Sequence, residues 1–197
     1  TFDPQGKNIP AVGQAGKTGW FYIHDRMTGK LLLKSEAFVP QWNMFELATE
    51  KGTTIYPGVV GGSNWSPVAV DESKRRVFVA GIHWPVEYKL HEIASKEGKP
   101  PVKYSSMSPK EDEERYGVLS SIDLDSGKLK WQYKTRNPLI GGVLSTSGGL
   151  VFVGLGEGEL AAYDSDSGAK LWGGKTDAGA NAPPITYVLD GKQYVAV

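Results

Sequence analysis

The chain has 197 residues, of which 22 are Lys or Arg and 22 are Asp or Glu, so its formal net charge is zero. A balanced charge argues against a nucleic acid or an anionic membrane as partner, because both attract an excess of basic residues. Cysteine is absent, which excludes disulfides and thiolate metal sites. No apolar run approaches the roughly 20 residues that span a bilayer.

The first half of the chain predicts short strands separated by irregular connections. Residues 1–16 are rich in Gly, Pro and Gln and are predicted to form a loop. The connection at 36–56 has no clear period, although 45–48 fit one helical turn. Segments rich in aromatic and β-branched residues predict strands. These strands are expected at 19–24, 30–34, 68–70 and 77–80.

Residues 84–116 interrupt this pattern. They carry four prolines and a run of charged residues at 110–115. The prolines disfavour a helix over most of the segment, and the charged run is expected to be a solvated loop. We interpret 84–116 as an insertion within one partial domain that covers residues 1–197.

Two eleven-residue stretches repeat 41 residues apart. Residues 121–131 read SIDLDSGKLKW and residues 162–172 read AYDSDSGAKLW, while 23–33 form a degenerate copy with Leu33 in the Trp place. The Asp can cap a turn, and the Gly supplies the positive φ of a tight reversal. The Trp ring can dock between neighbouring units and donate its indole N–H. A period near 40 residues indicates a propeller or a solenoid.

Each repeat unit is predicted to contain four short strands. The chain holds two complete units, a half unit before them and a half unit after them. Such units bury their faces by radial stacking, so the predicted fold is all-β, part of a β-propeller with four-stranded antiparallel blades. Because propellers typically have four to eight blades, we expect the remaining blades to come from the same polypeptide or another chain. We interpret the chain, which starts at Thr1 and stops within a strand at Val197, as a fragment of a longer polypeptide.

Several patterns that could indicate a binding or catalytic site are excluded by their spacing or by the residues around them. The glycines at 154–158 are followed by a strand and a turn, whereas a phosphate-binding loop needs a following helix. His24, His83 and His91 lack the spacing of metal ligands. The sequence contains no Gly-x-Ser-x-Gly nucleophile motif.

Polar residues among glycines at strand starts are the better candidates, because these positions face the axis of a propeller, where ligands bind. Asn64 and Trp65 follow the glycine pair 61–62. An Asn amide can bind carbonyl or carboxylate oxygens, and a Trp can wall a flat ligand. The alternative is that Asn64 caps a turn and Trp65 belongs to the core. Lys17, just before the 19–24 strand, is either a further ligand contact or simply an exposed lysine.

Taken together, these motifs resemble the PQQ-dependent alcohol dehydrogenases, or quinoproteins, which are eight-bladed propellers. The Asp…Gly…Trp repeat is similar to the tryptophan-docking motif of that family. Further segments resemble the family in the same order, and together they cover almost all of 17–197. They are 17–26, 56–58, 61–65, 141–152 and 182–187.

The resemblance implies the C-terminal portion of a periplasmic enzyme that oxidises a primary alcohol or a similar substrate by hydride transfer to PQQ. A Ca²⁺ or lanthanide ion accompanies PQQ in this family, and a cytochrome c-type protein takes the electrons. Lys17 maps to the cation that contacts the quinone oxygens, where it would stabilise developing negative charge. Asn64 maps to a PQQ contact, with Trp65 beside it. The catalytic base and the metal ligands are expected outside this chain, so no catalytic or metal residue is assigned.

One departure from the family is Leu139-Ile140, which stands where some members have a Trp before the glycine pair. No side-chain contact with the cofactor is assigned there. The competing hypothesis is a non-catalytic propeller that binds proteins, as in outer-membrane assembly factors. Such a protein would keep the repeat without Lys17 and the Gly-Gly-x-Asn-Trp segment. Several points stay open: the alcohol, the metal, a haem domain, a homodimer, and whether 84–116 covers the cofactor funnel or touches a partner.

Overall fold

The computed structural model describes residues 1–2, 7–95 and 98–197. This part of the chain forms sixteen strands and no helix, so none of its segments is a helix that could cross a membrane. The strands are β1 (Ala11–Ala15), β2 (Phe21–Asp25), β3 (Leu31–Lys34), β4 (Thr53–Ile55), β5 (Ala69–Asp71), β6 (Arg76–His83), β7 (Val86–Ile93), β8 (Val102–Pro109), β9 (Tyr116–Asp123), β10 (Leu129–Thr135), β11 (Val143–Ser145), β12 (Leu150–Leu155), β13 (Glu159–Asp164), β14 (Lys170–Lys175), β15 (Ile185–Leu189) and β16 (Lys192–Ala196).

The strands form successive antiparallel sheets, which we number as blades. The second blade has the order β5-β6-β9-β10 and the third has β11-β12-β13-β14, so both are complete four-stranded units. The first blade consists of β1-β2-β3 and the fourth of β15-β16. This arrangement confirms the predicted fold, part of a β-propeller.

Two local predictions are wrong. Strand β1 lies within 1–16, which was predicted to be a loop, and it pairs with β2 over its whole length. Its sequence, AVGQA, has little intrinsic strand preference, so the pairing partner determines its conformation. Residues 45–48 are not helical. A single turn, in which Glu46 N donates to Asn43 O at 2.9 Å, occurs there instead, and Phe45 and Leu47 are both 83% exposed, without the packing that stabilises a helix.

The two irregular stretches of the sequence come together as one element. Strands β7 and β8 form a hairpin within 84–116, and β4 from 36–56 pairs with β7 to give the sheet β4-β7-β8. The connection before β4 is joined to it by bridges between Trp42 and Tyr56 and between Thr49 and Lys89. We call this sheet and the loop 41–48 the side module. Its β7-β8 hairpin leaves the second blade between β6 and β9, whereas β4 and the loop lie in the connection from the first blade to the second.

The core lies between blades rather than within one sheet. On β6, Val77 and Val79 pack with the first blade, whereas Phe78 and Ala80 pack with the third. Alternate side chains of a strand point to opposite faces, and here both faces are buried. The second blade is therefore held on two sides by apolar contacts, each large side chain contributing about 1.5–3 kcal/mol.

The turns of the repeat have the predicted geometry. Asp164 Oδ1 accepts hydrogen bonds from the backbone N–H groups of Asp166 and Ser167 at 3.1 and 2.8 Å, and Gly168 has φ +73°. Hydrogen bonds from the Ser167 hydroxyl and backbone lower the pKa of Asp164. Equivalent turns occur at Asp25 and Asp123.

Trp131 joins the second blade to the third. Its indole N–H donates to the Ser165 carbonyl at 3.0 Å, and a Cβ added at Gly168 would lie 2.6 Å from its ring. Leu33 occupies the same place in the first blade. A Cβ added at Gly127, in the turn between β9 and β10 of the second blade, would lie 3.2 Å from Leu33 Cδ2. Each of these side chains thus packs on the turn of the following blade, as predicted for Trp131. Trp172 is 53% exposed.

Candidate functional site

The starts of the innermost strands lie next to one another. Val143 N at the start of β11 donates to the Pro67 carbonyl before β5 at 3.0 Å. A Cβ added at Gly142 would lie 2.5 Å from Pro67 Cγ and 2.7 Å from Pro183 Cβ, so the glycine permits this close approach. The entrances to β5, β11 and β15 therefore form one continuous arc at the inner end of three blades.

The structure brings Lys17 and the Asn64 segment together, although they are far apart in the sequence. Gly62 exchanges hydrogen bonds with Ile82 at 2.8 and 2.7 Å, and Ser63 N donates to the Gly16 carbonyl at 3.1 Å. Gly62 has φ +70°, and a side chain there would collide with the Lys17 carbonyl. The turn between β1 and β2 is thus seated against the entrance to β5.

The three candidate side chains are at least partly accessible to solvent. Trp65 is 69% exposed, so the alternative that it belongs to the core is wrong. Asn64 is half-buried and makes no side-chain hydrogen bond within residues 1–2, 7–95 and 98–197. Lys17 is exposed and forms no ion pair in the same part of the chain. The arrangement offers an amide, a cation and an indole face to a ligand.

No metal site is found among the described residues, since no three or more His, Asp or Glu side chains are grouped as ligands would be. His83 is 5% exposed, and its ring centroid lies 4.7 Å from that of Tyr116 and 5.2 Å from that of Tyr56. Its Nδ1 has no hydrogen-bond partner among the residues that the structure describes. Burial lowers the pKa of His83, because the imidazolium form loses its hydration, although nearby Glu113 and Glu114 oppose this effect.

A groove that the sequence did not reveal lies beside Lys17. It has a volume of about 370 Å³, and Lys17, Thr18 and the 57–59 segment form one wall. The side module forms the rest, through Met44, Glu46, Leu47, Ala48, Ile55, Tyr88 and Ser105. The only sequence signal was the cluster of apolar residues at 44–48 in a stretch without period.

Tyr56, directly after β4 of the side module, contacts the charged run at 110–115. The Tyr56 hydroxyl donates to Glu113 Oε1 at 2.6 Å. This hydrogen bond to a carboxylate, together with burial and the charge of Glu113, raises the pKa of Tyr56 to about 12. The run is mostly exposed, as predicted for a solvated loop, but Glu113 has a defined partner.

Comparisons with known proteins agree with this geometry. Residues 110–195 match the family model described as PQQ, glucose/ethanol/alcohol dehydrogenase, β-propeller domain. The quinoprotein ethanol dehydrogenase of Pseudomonas putida is 31% identical over an alignment that covers 99% of this chain and 35% of that protein.

Solved structures give the same result. A quinohemoprotein alcohol dehydrogenase from Pseudomonas putida HK5 has a TM-score of 0.82 and 26% identity, over 98% of this chain and 32% of that one. A europium-containing methanol dehydrogenase has a TM-score of 0.81 and 27% identity, over 98% and 37%. BamB from Moraxella catarrhalis, at 15% identity and a TM-score of 0.50, shares the fold alone.

The fold is therefore that of a portion of a β-propeller of the PQQ dehydrogenase type. Over nearly its whole length the chain is similar to quinoprotein alcohol dehydrogenases, as the resemblance of its motifs indicated. It spans about a third of the length of the curated relatives that it matches.

Proposed function

We propose that this chain is part of a PQQ-dependent alcohol dehydrogenase that oxidises a primary alcohol or a similar substrate. The observation that supports this function is the contact of the turn that carries Lys17 with the segment that carries Asn64 and Trp65, at the inner arc of the blades. Among the described residues, none of the three side chains has a hydrogen bond or an ion pair. Relatives that carry this activity in their names align with almost the whole chain.

The residues present fit one edge of PQQ, which is a flat, anionic quinone. When bound, PQQ supplies the acceptor for a hydride from the alcohol. The Lys17 ammonium would stabilise negative charge on a quinone oxygen, an electrostatic effect of the oxyanion-hole kind. The Asn64 amide would donate hydrogen bonds to an oxygen of the ligand, and the Trp65 indole would shield a flat face from water.

The rest of the apparatus is proposed to lie outside this chain. That includes the catalytic base, the ligands of a Ca²⁺ or lanthanide ion, and the blades that close the ring. A europium-containing relative supports the metal, and a quinohemoprotein relative supports transfer of electrons to a cytochrome c-type acceptor. We further propose a periplasmic location. The contact of Trp131 with the next blade is proposed to be the family's tryptophan-docking motif.

The test is reconstitution of the full-length protein with PQQ and Ca²⁺, or with PQQ and a lanthanide. Reduction of a dye by alcohol should follow. Lys17→Ala is expected to lower kcat by about 10²-fold and to leave Tm unchanged, since Lys17 is exposed and forms no described ion pair. Lys89→Ala, at an exposed lysine of β7, is the control and should be as active as wild type.

Equilibrium dialysis against PQQ decides between the two hypotheses. A full-length protein that binds no PQQ would contradict the proposed function and leave the protein-binding scaffold as the explanation. Equal loss of activity in Lys17→Ala and Lys89→Ala would contradict only the role assigned to Lys17 and would leave the proposed function standing.

A further inference from the structure

The groove beside Lys17 is walled on one side by a single face of the side module. In the pairing of β4 with β7 and of β7 with β8, Thr53 and Met107 lie opposite Tyr88, and Ser105 lies opposite Leu90. Opposed residues, and residues two apart along a strand, share one face of a sheet. Ile55, Tyr88 and Ser105 therefore lie on the same face, and all three line the groove.

The opposite wall connects the groove to the candidate cofactor site. Lys17 lines the groove, and its carbonyl contacts Gly62, two residues before Asn64. The other residues of this wall are Thr18, Pro57, Gly58 and Val59. Lys17 is thus shared by the groove and the inner arc. A ligand that fills the groove would have one end at Lys17.

The chemistry of the lining indicates an uncharged, largely apolar ligand. Met44, Leu47, Ile55 and Val59 contribute aliphatic surface, and Leu47 is 83% exposed. The groove carries one cation, Lys17, and one carboxylate, Glu46. A volume of about 370 Å³ is at the lower end of the range of small-molecule sites, which is about 300–1,000 Å³.

We propose that this groove binds the hydrocarbon part of the alcohol, with the hydroxyl group at the Lys17 end, and that the side module determines the chain length that the enzyme prefers. This inference rests on the proposed function. It assigns the insertion at 84–116 to the substrate site rather than to a partner protein. Burial of each methylene against the aliphatic wall raises kcat/KM by about fourfold until the groove is filled.

The test uses the full-length, PQQ-loaded protein and a series of 1-alkanols from ethanol to 1-octanol. Ala48→Phe places a ring in the groove, so kcat/KM for 1-octanol is expected to fall at least tenfold while that for ethanol stays within twofold. Leu47→Ala removes apolar surface from the wall of the groove and should reduce the increase of kcat/KM with the chain length of the alcohol. Phe45→Ala is the matched control, because Phe45 lies in the same loop and is equally exposed but does not line the groove.

A second measurement does not depend on activity. Calorimetric titration of the full-length protein without PQQ should detect binding of 1-hexanol, weakened at least fivefold by Ala48→Phe and unchanged by Phe45→Ala. If the variants are active and PQQ-loaded and keep the chain-length profile of wild type, the groove does not bind the hydrocarbon part of the alcohol. The proposed function would still stand. A wild-type protein that binds PQQ but oxidises no alcohol would overturn the proposed function, and this inference with it.

Discussion

The second blade and the side module both carry apolar side chains, but the blade buries them and the module leaves many of them exposed. Strand β6 is buried on both faces, since the first and third blades cover it. Every residue of β8 is exposed, including Tyr104 and Met107 at 47% each. The second blade has a neighbouring blade on each side, whereas in the described part of the chain β8 keeps all of its side chains exposed. We therefore expect substitutions to destabilise the blade more than the module.

The largest expected effect tests the stability of the blade. Phe78 is fully buried, with its ring centroid 5.8 Å from that of Trp131. Phe78→Ala should lower the free energy of unfolding by about 3–5 kcal/mol, measured by urea denaturation of the full-length protein. Tyr104→Ala on β8 should cost about 0.5 kcal/mol. Equal losses for the two variants would remove the distinction between blade and module.

The contact between blades is tested by two glycines at the same place in the repeat. Gly29 and Gly168 both have φ +73°, but within the part of the chain that the structure describes a Cβ at Gly29 meets nothing within 4 Å, whereas one at Gly168 meets the Trp131 ring. Gly29→Ala should cost about 1–2 kcal/mol for the left-handed conformation. Gly168→Ala should cost about 1–3 kcal/mol more, because the ring must move. Thermal unfolding measures both, and a Gly29→Ala variant as unstable as Gly168→Ala would argue against the docking contact.

The smallest expected effect concerns His83, at the junction of blade and module. Its folded-state pKa is lowered by burial, so the unfolded chain binds a proton more readily. Its contribution to stability is present above the unfolded pKa, near 6.5, and is lost as the pH falls below that value. His83→Phe should weaken the fall of Tm between pH 7.5 and pH 5.5. His91→Phe, on β7, is the control, and a pH dependence unchanged by His83→Phe would contradict this account.

Much of the architecture followed from local signals. The Asp, Gly and Trp of the repeat each act within a few residues or at a fixed period, so their spacing predicted the turns, the four-stranded unit and the propeller. Strand β1 was missed because its five residues have little strand preference of their own, and pairing with β2 makes them a strand. The candidate residues Lys17, Asn64 and Trp65 came from the motif resemblance together with their place among glycines at strand starts.

By itself, the sequence determined the repeat, the all-β class, the family resemblance and the candidate residues at the inner arc. It could not determine that two stretches without any period, 36–56 and 84–116, meet as one sheet, because pairing between β4 and β7 depends on partners distant in the chain. Nor could it show that the Lys17 backbone lies against the segment before Asn64 while Lys17 also lines the groove. That proximity is decided by the close approach of the Lys17 carbonyl to Gly62, which is a property of the packed blades.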